Sequence, residues 1–202
     1  KLRNWFRQTQ VHNTLTLDGR TIENTESVTK LWQPEGDVQM LVTENQHYKD
    51  LKHRRSVFFV DNTYFVIVDE AIGDARGTIN LNYQLCEGSV QIDKESNSLE
   101  TKFDGNSNVK LQCFSDSKIS LREKEGWRST AYRHRVARTA VAFDIKKEKK
   151  TPVRYITVIY PVKKVVDYPK LQARFVGKYN AGSLKLEICV DGKRKCLEYS
   201  IN

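Results

Sequence analysis

In the stretch "RQTQVHNTLTLDGR" a histidine and an asparagine, His12 and Asn13, stand at the mouth of an alternating apolar strand, a few residues after Arg7. An imidazole with an ordinary pKa of about 6.5 can act as a general base or stabilise developing charge at neutral pH. An arginine fork can clamp a carboxylate or sulfate at two points. At a strand mouth the same histidine can also be satisfied by backbone groups, so chemistry at His12 requires partners.

Three basic clusters could supply them. "RNWFRQTQVHN" combines Arg3, Arg7 and His12 with Trp5 and Phe6. "HYKDLKHRRS" carries Lys49, Lys52, His53, Arg54 and Arg55, and "YRHRVAR" carries Tyr132, Arg133, His134, Arg135 and Arg138. In the second and third clusters alternate residues are expected to lie along the sheet or to pair with acids such as Asp50 and Glu70.

Other chemistries leave no trace. His12, His47, His53 and His134 show no metal-ligand spacing, and Cys86, Cys113, Cys189 and Cys196 form no Cys-x-x-Cys pair. Serine-hydrolase elbows, Walker loops and dinucleotide-binding glycine turns are missing as well. In "EICVDGKRKCLEYSI" a two-residue Asp191-Gly192 turn sets Lys185 opposite Glu198 but Ile188 opposite Lys195. A four-residue loop sets Cys189 opposite Cys196 but Glu187 against Glu198, and the alternation alone does not choose between them.

The elements that must position these residues are strands. Period-two alternation recurs in "NTLTLDG", "DVQMLVTE" and "TINLNYQL", and no window carries a sustained helical stripe. "RRSVFFVDNTYFVIVDE" reads as a hairpin turning at Asp61-Asn62, with Val60 opposite Thr63 and Phe58 opposite Phe65. Being apolar on both faces, it should be central and covered. "KESN" and "DGNSN" punctuate a meander, and "KKEKK", Lys146 to Lys150, reads as a solvated hairpin loop. The expected fold is all-β, a large antiparallel β-sandwich of about a dozen strands forming one domain over 1–202.

Bulk properties narrow the partner. Lys and Arg number 34 against 25 Asp and Glu, a net charge of +9 that favours polyanions by long-range steering. No apolar run is long enough to span a membrane, and no nucleic-acid motif appears. The opening "KLRNWFRQTQ" has neither an initiator Met nor a leader pattern, so the chain reads as a processed or truncated product.

The order of "FRQTQVHNTLTLDGR", "KHRRSVFFVDNTYFVIVDE", "GWRSTAYRHRVARTA" and "PVRYITVIYP" resembles the C-terminal β-sheet region of the heparinase II/III-like polysaccharide lyases, and within them the family 12 heparan-sulfate lyases of Bacteroides-like bacteria. The Arg-x-Thr-x-x-His-Asn-Thr segment leading into Leu-x-Leu-Asp-Gly is its most specific element.

The resemblance implies an α/α toroid followed by a β-sandwich, with an acidic polysaccharide, heparan sulfate or heparin, in the cleft between them and cleaved by β-elimination. The partner would be the toroid domain of the same parent chain, which would supply an asparagine and a tyrosine, and the protein would be a monomer, periplasmic or secreted. His12 is carried over as the site residue, either assisting catalysis or holding a divalent metal, Zn or Ca, with residues upstream. Arg7 and Asn13 would flank it as substrate-binding residues. Arg55 matches a motif read first as structural, with a role in substrate binding also open. Tyr132 falls on a recurring position whose implied role is packing. A chain with no toroid would hold half a cleft. The other function weighed is a non-catalytic module that binds sulfated glycans through its basic clusters.

Overall fold

The computed structural model describes residues 2–23, 25–105, 107–163 and 167–201. A short helix α1 (Leu2–Phe6) and a 3-10 turn (Thr9–Val11) precede the strands β1 (Leu15–Leu17), β2 (Ser27–Gln33), β3 (Val38–Tyr48), β4 (Leu51–Val60), β5 (Tyr64–Ile72) and β6 (Gly77–Gln84). There follow β7 (Val90–Asp93), β8 (Ser98–Thr101), β9 (Asn108–Phe114), β10 (Ser120–Lys124), β11 (Trp127–Ala131) and β12 (His134–Ala137). The chain closes with β13 (Ala140–Lys147), β14 (Val153–Val162), β15 (Leu171–Phe175), β16 (Ser183–Val190) and β17 (Lys193–Ser200). The fold is all-β and antiparallel as expected. Among the described residues the strands number 17 rather than the expected dozen, the additional ones being β2, β10, β11 and β12.

Eight strands, in the order β2-β3-β4-β5-β14-β9-β8-β7, form one sheet. A four-stranded sheet, β1-β6-β13-β10, covers one face, and a three-stranded sheet, β15-β16-β17, covers the other. Because side chains alternate along a strand, each central strand feeds two cores. Leu51 of β4, Ala71 of β5 and Tyr155 of β14 pack with Leu81 and Phe143 of the four-stranded sheet. Phe58 and Val60 of β4, Val66 and Val68 of β5, and Val158 of β14 pack with Leu186, Ile188 and Leu197 of the three-stranded sheet. The doubly apolar β4–β5 hairpin is therefore central and covered.

Its register differs by one from the sequence expectation: Val60 pairs with Tyr64 and Phe58 with Val66. Asp61 and Asn62 both take left-handed backbone, and Thr63 joins the turn through its N–H to the Val60 carbonyl. The extra turn residue sends Phe58 into the core, while Phe65 stays 39% exposed and stacks on Phe59.

At the β16–β17 hairpin the two-residue turn prevails. Lys185 pairs with Glu198, while Cys189 sits opposite Arg194 and Cys196 opposite Glu187, both thiols free. Ile188 does face Lys195, yet it is buried in the core against the eight-stranded sheet, while the Lys195 ammonium reaches out to Asp61.

"KKEKK" is not a hairpin loop. It ends β13 in one sheet and leads to β14 in another, and the Lys147 ammonium is buried, donating to the carbonyls of Lys149 and Thr151.

Candidate functional site

The segment carrying His12 is strapped down over the end of the four-stranded sheet. The Thr9 hydroxyl accepts the Ile22 N–H, and the Gln10 carbonyl accepts the Lys124 ammonium at 2.8 Å. Lys124, which also donates to Asn82, has its pKa lowered to about 8 by burial and by neighbouring Arg122. Val11 is buried beneath the strap, the Thr14 carbonyl accepts the Asn82 N–H, and Asn13 Oδ1 accepts the Gln84 N–H at 2.7 Å.

On this strap His12 is exposed, with Nε2 3.1 Å from the Phe6 carbonyl at the end of α1. A carbonyl only accepts, so this bond places the proton on Nε2 and leaves Nδ1 with the lone pair in the neutral ring. Asn13 lies beside it, but its side-chain oxygen is committed to Gln84. Arg7 is exposed and opens onto a separate shallow depression with Asn4, Gln8 and Thr21. The strap thus brings His12 and Asn13 together and leaves Arg7 apart from them.

Arg55 holds the strap from below. Its Nε and Nη2 fork onto Asp69 at 2.7 and 3.1 Å, and its Nη1 donates to the Asn13 carbonyl at 2.7 Å. Asp69 is fully buried and also accepts His53 Nε2 at 2.6 Å. Burial pushes the Asp69 carboxyl upward, but Arg55 and His53 outweigh it and hold the pKa at about 2. Arg54, one residue earlier, points to the opposite face and lies among Glu44 and Glu70. Lys52, His53, Arg54 and Arg55 of the second basic cluster are thus paired and structural in character, with Glu70 among their partners as expected, while Asp50 takes no ion pair among the described residues. The strand alternation that carries "HRR" and "VDE" across from one another signals these pairs in the sequence.

The third cluster meets the expectation only in part, through Arg135, which lies on its own small sheet. β11 and β12 form a separate hairpin whose tip carries Tyr132, 89% exposed and so not packed within this domain. Arg135 lies over the Trp127 ring at 4.0 Å, and Ser129 Oγ donates to the carbonyls of Ala131 and His134. Between this hairpin and α1 runs a groove of about 640 Å3, lined by Arg3, Phe6, Ser129, Tyr132, Arg133, His134 and Arg135. The Phe6 that lines it is the residue whose carbonyl holds His12.

Among the described residues no group of three or more His, Cys, Asp or Glu is placed to hold a metal ion. His12 meets a carbonyl rather than a second imidazole or a carboxylate, so the donors of this chain alone do not fit a Zn or Ca centre.

A profile described as "Heparinase II/III-like, C-terminal" matches residues 1–194. The chain belongs to this family. The heparinase II/III-like C-terminal domain seen here is 54% identical over 98% of its length to a heparin-sulfate lyase of Bacteroides stercoris, of which it spans 30%. It is 31% identical over 96% of its length to the heparin-sulfate lyase of Pedobacter heparinus, again spanning 30% of that protein. Among solved structures it is similar to a heparinase III gene product, with a TM-score of 0.97 at 55% identity, covering 99% of this chain and 32% of that one. The heparan sulfate lyase HepC of Pedobacter heparinus superposes with a TM-score of 0.92 at 31% identity, over 98% of this chain and 32% of its own. The domain therefore spans about a third of the relatives it matches.

Proposed function

We propose that the domain is the C-terminal part of a heparan-sulfate lyase and forms one wall of its substrate cleft. The observation that carries the reading is the 54% identity to a heparin-sulfate lyase across nearly the whole domain, the His12 strap included. In the elimination a base removes the proton at C5 of a uronate, the electron pair forms the C4–C5 double bond, and the C4–O bond breaks. The leaving oxygen takes a proton, and an unsaturated uronide remains.

A proton beside an ionised carboxylate is hardly acidic, so the cleft must offset the charge that develops there with fixed donors and cations. His12 offers an exposed Nδ1 held at a fixed orientation by its Nε2 bond, suited to accepting a proton or stabilising charge. Asn13 and Arg55 serve this site chiefly by fixing the strap. The toroid of the parent chain supplies the opposite wall and the remaining acid-base groups, and the enzyme works in the periplasm or outside the cell, where acidic glycans are met.

The test uses the full-length parent. It should release products with the ultraviolet absorbance of unsaturated uronides from heparan sulfate, and His12→Ala should abolish that release. Full activity of His12→Ala would remove His12 from the reaction. A parent that retains heparan sulfate without cleaving it would favour the glycan-binding module, the reading supported by Arg133 and Arg135 of the β11–β12 hairpin, which have no ion-pair partner among the described residues.

A further inference from the structure

We propose that the groove between α1 and the β11–β12 hairpin is a saccharide subsite that recognises the anionic substituents of an acidic sugar unit, with Arg133 and Arg135 as its specificity-determining residues. This rests on the lyase reading above and extends it to a surface away from the His12 ring.

The groove joins three features. Arg3, Arg133 and Arg135 line it, no carboxylate does, and among the described residues none of the three has an ion-pair partner, whereas Arg128 on the same hairpin is paired with Glu87. Unpaired guanidinium groups converging on a concavity favour an anion that can be gripped at two points. Phe6 and Tyr132 add aromatic faces, and Tyr132 buries almost nothing in the domain itself. A flat, amphipathic ring of this kind is suited to lie against the apolar face of a sugar.

The hairpin is also prearranged. Stacking on Trp127 limits the freedom of the Arg135 guanidinium, and the Ser129 hydroxyl closes the tip. Arg133 takes left-handed backbone at the turn, which fixes where its side chain leaves the chain. Prearranged side chains lose less freedom on binding, which favours affinity.

Finally, the groove and His12 share Phe6, whose side chain lines the one and whose carbonyl holds the other, so a polymer acted on at His12 has the groove within the same neighbourhood of α1. The occupant is thus an anionic stretch of the same polymer, and the anion is either a uronate carboxylate or a sulfo group.

The experiment uses the full-length parent with Arg133→Ala/Arg135→Ala, alongside His12→Ala. On heparan sulfate the double variant should raise KM about tenfold, equivalent to about 1.4 kcal/mol, leave kcat within about twofold, and flatten the rise of KM with salt because fewer cations are engaged. Tyr132→Ala should raise KM in the same way. On the unsulfated form of the polymer, persistence of the KM defect identifies the carboxylate as the recognised group, and its disappearance identifies the sulfo group. An unchanged KM overturns the subsite. A lowered melting temperature with unchanged KM overturns it too, because the hairpin would then pack against the rest of the parent chain. His12→Ala separates the two claims: full activity there removes His12 from the reaction, while the KM of the double variant still decides the groove.

Discussion

Arg55 on β4 reaches across the sequence to the backbone carbonyl of Asn13, 2.7 Å away, while its other two nitrogens grip the fully buried Asp69. One guanidinium therefore joins the middle of the central sheet to the strap that bears the candidate histidine.

Arg55→Met should destabilise the domain by about 3–5 kcal/mol, because it leaves Asp69 a buried carboxylate with only His53 beside it. Arg55→Lys keeps a positive charge but cannot fork onto Asp69 and reach Asn13 together, so it should cost less stability while lowering kcat more than it raises KM. Urea unfolding and steady-state kinetics of the parent check both. A raised KM with kcat intact would return Arg55 to direct substrate contact.

Acid should weaken the fold in two steps. His47 is buried, with its pKa lowered to about 4 by burial and by the neighbouring His53. The unfolded chain therefore binds this proton more readily. The contribution is full above about pH 6.5 and is lost as the pH falls toward 4, an effect on the order of 3 kcal/mol. Asp69, also depressed in the fold, adds a second loss as the pH falls from its ordinary 3.8 toward 2. His47→Asn should flatten the first slope in urea titrations between pH 6.5 and 4, and identical slopes would refute the assignment.

Thiol reactivity should follow burial. Cys86 and Cys196 are exposed and should react rapidly in the folded chain, Cys189 more slowly, and Cys113 only after unfolding, since burial pushes its thiol pKa well up. Mass spectrometry after timed alkylation reads this order directly. A Cys189–Cys196 disulfide recovered without oxidant would contradict the two-residue turn.

The three-stranded layer is pinned by a hydroxyl pair, Ser56 to Tyr199 at 2.8 Å. Tyr199→Phe should cost about 1 kcal/mol in thermal or urea unfolding, with the ring still stacked on Phe58. No loss would mean that water replaces the bond without penalty.

Much of this architecture is legible in the residues. The apolar runs of β4 and β5 on either side of their turn state that both faces are covered, and alternation in β1 and β6 picks out the leucines and isoleucine of the core but not the burial of Thr16, Asn80 and Asn82 on the other face. The layer count is not legible, because the same alternation suits a two-layer or a three-layer stack. Turn length decides register by one residue, and Thr63 gives no sign that it belongs to the turn. At the site, the motif around His12 stands out, but the supports do not: Gln10 and Asn13 act through backbone and side-chain oxygens whose partners, Lys124 and Gln84, lie far along the chain. The exposed hairpin at Tyr132 looks like any aromatic-basic strand until the sheets are closed without it.

The neighbouring arginines of β4 carry one more implication. In a strand that is greasy on both sides, sliding by a single residue would exchange one set of apolar contacts for another at small cost. Arg54 answers to Glu44 and Glu70 on one side, and Arg55 to Asp69 and Asn13 on the other. Any slip would strand these carboxylates at once on both sides. The pair works as a key cut on two edges, admitting a single alignment of β4 and, with it, a single seat for His12.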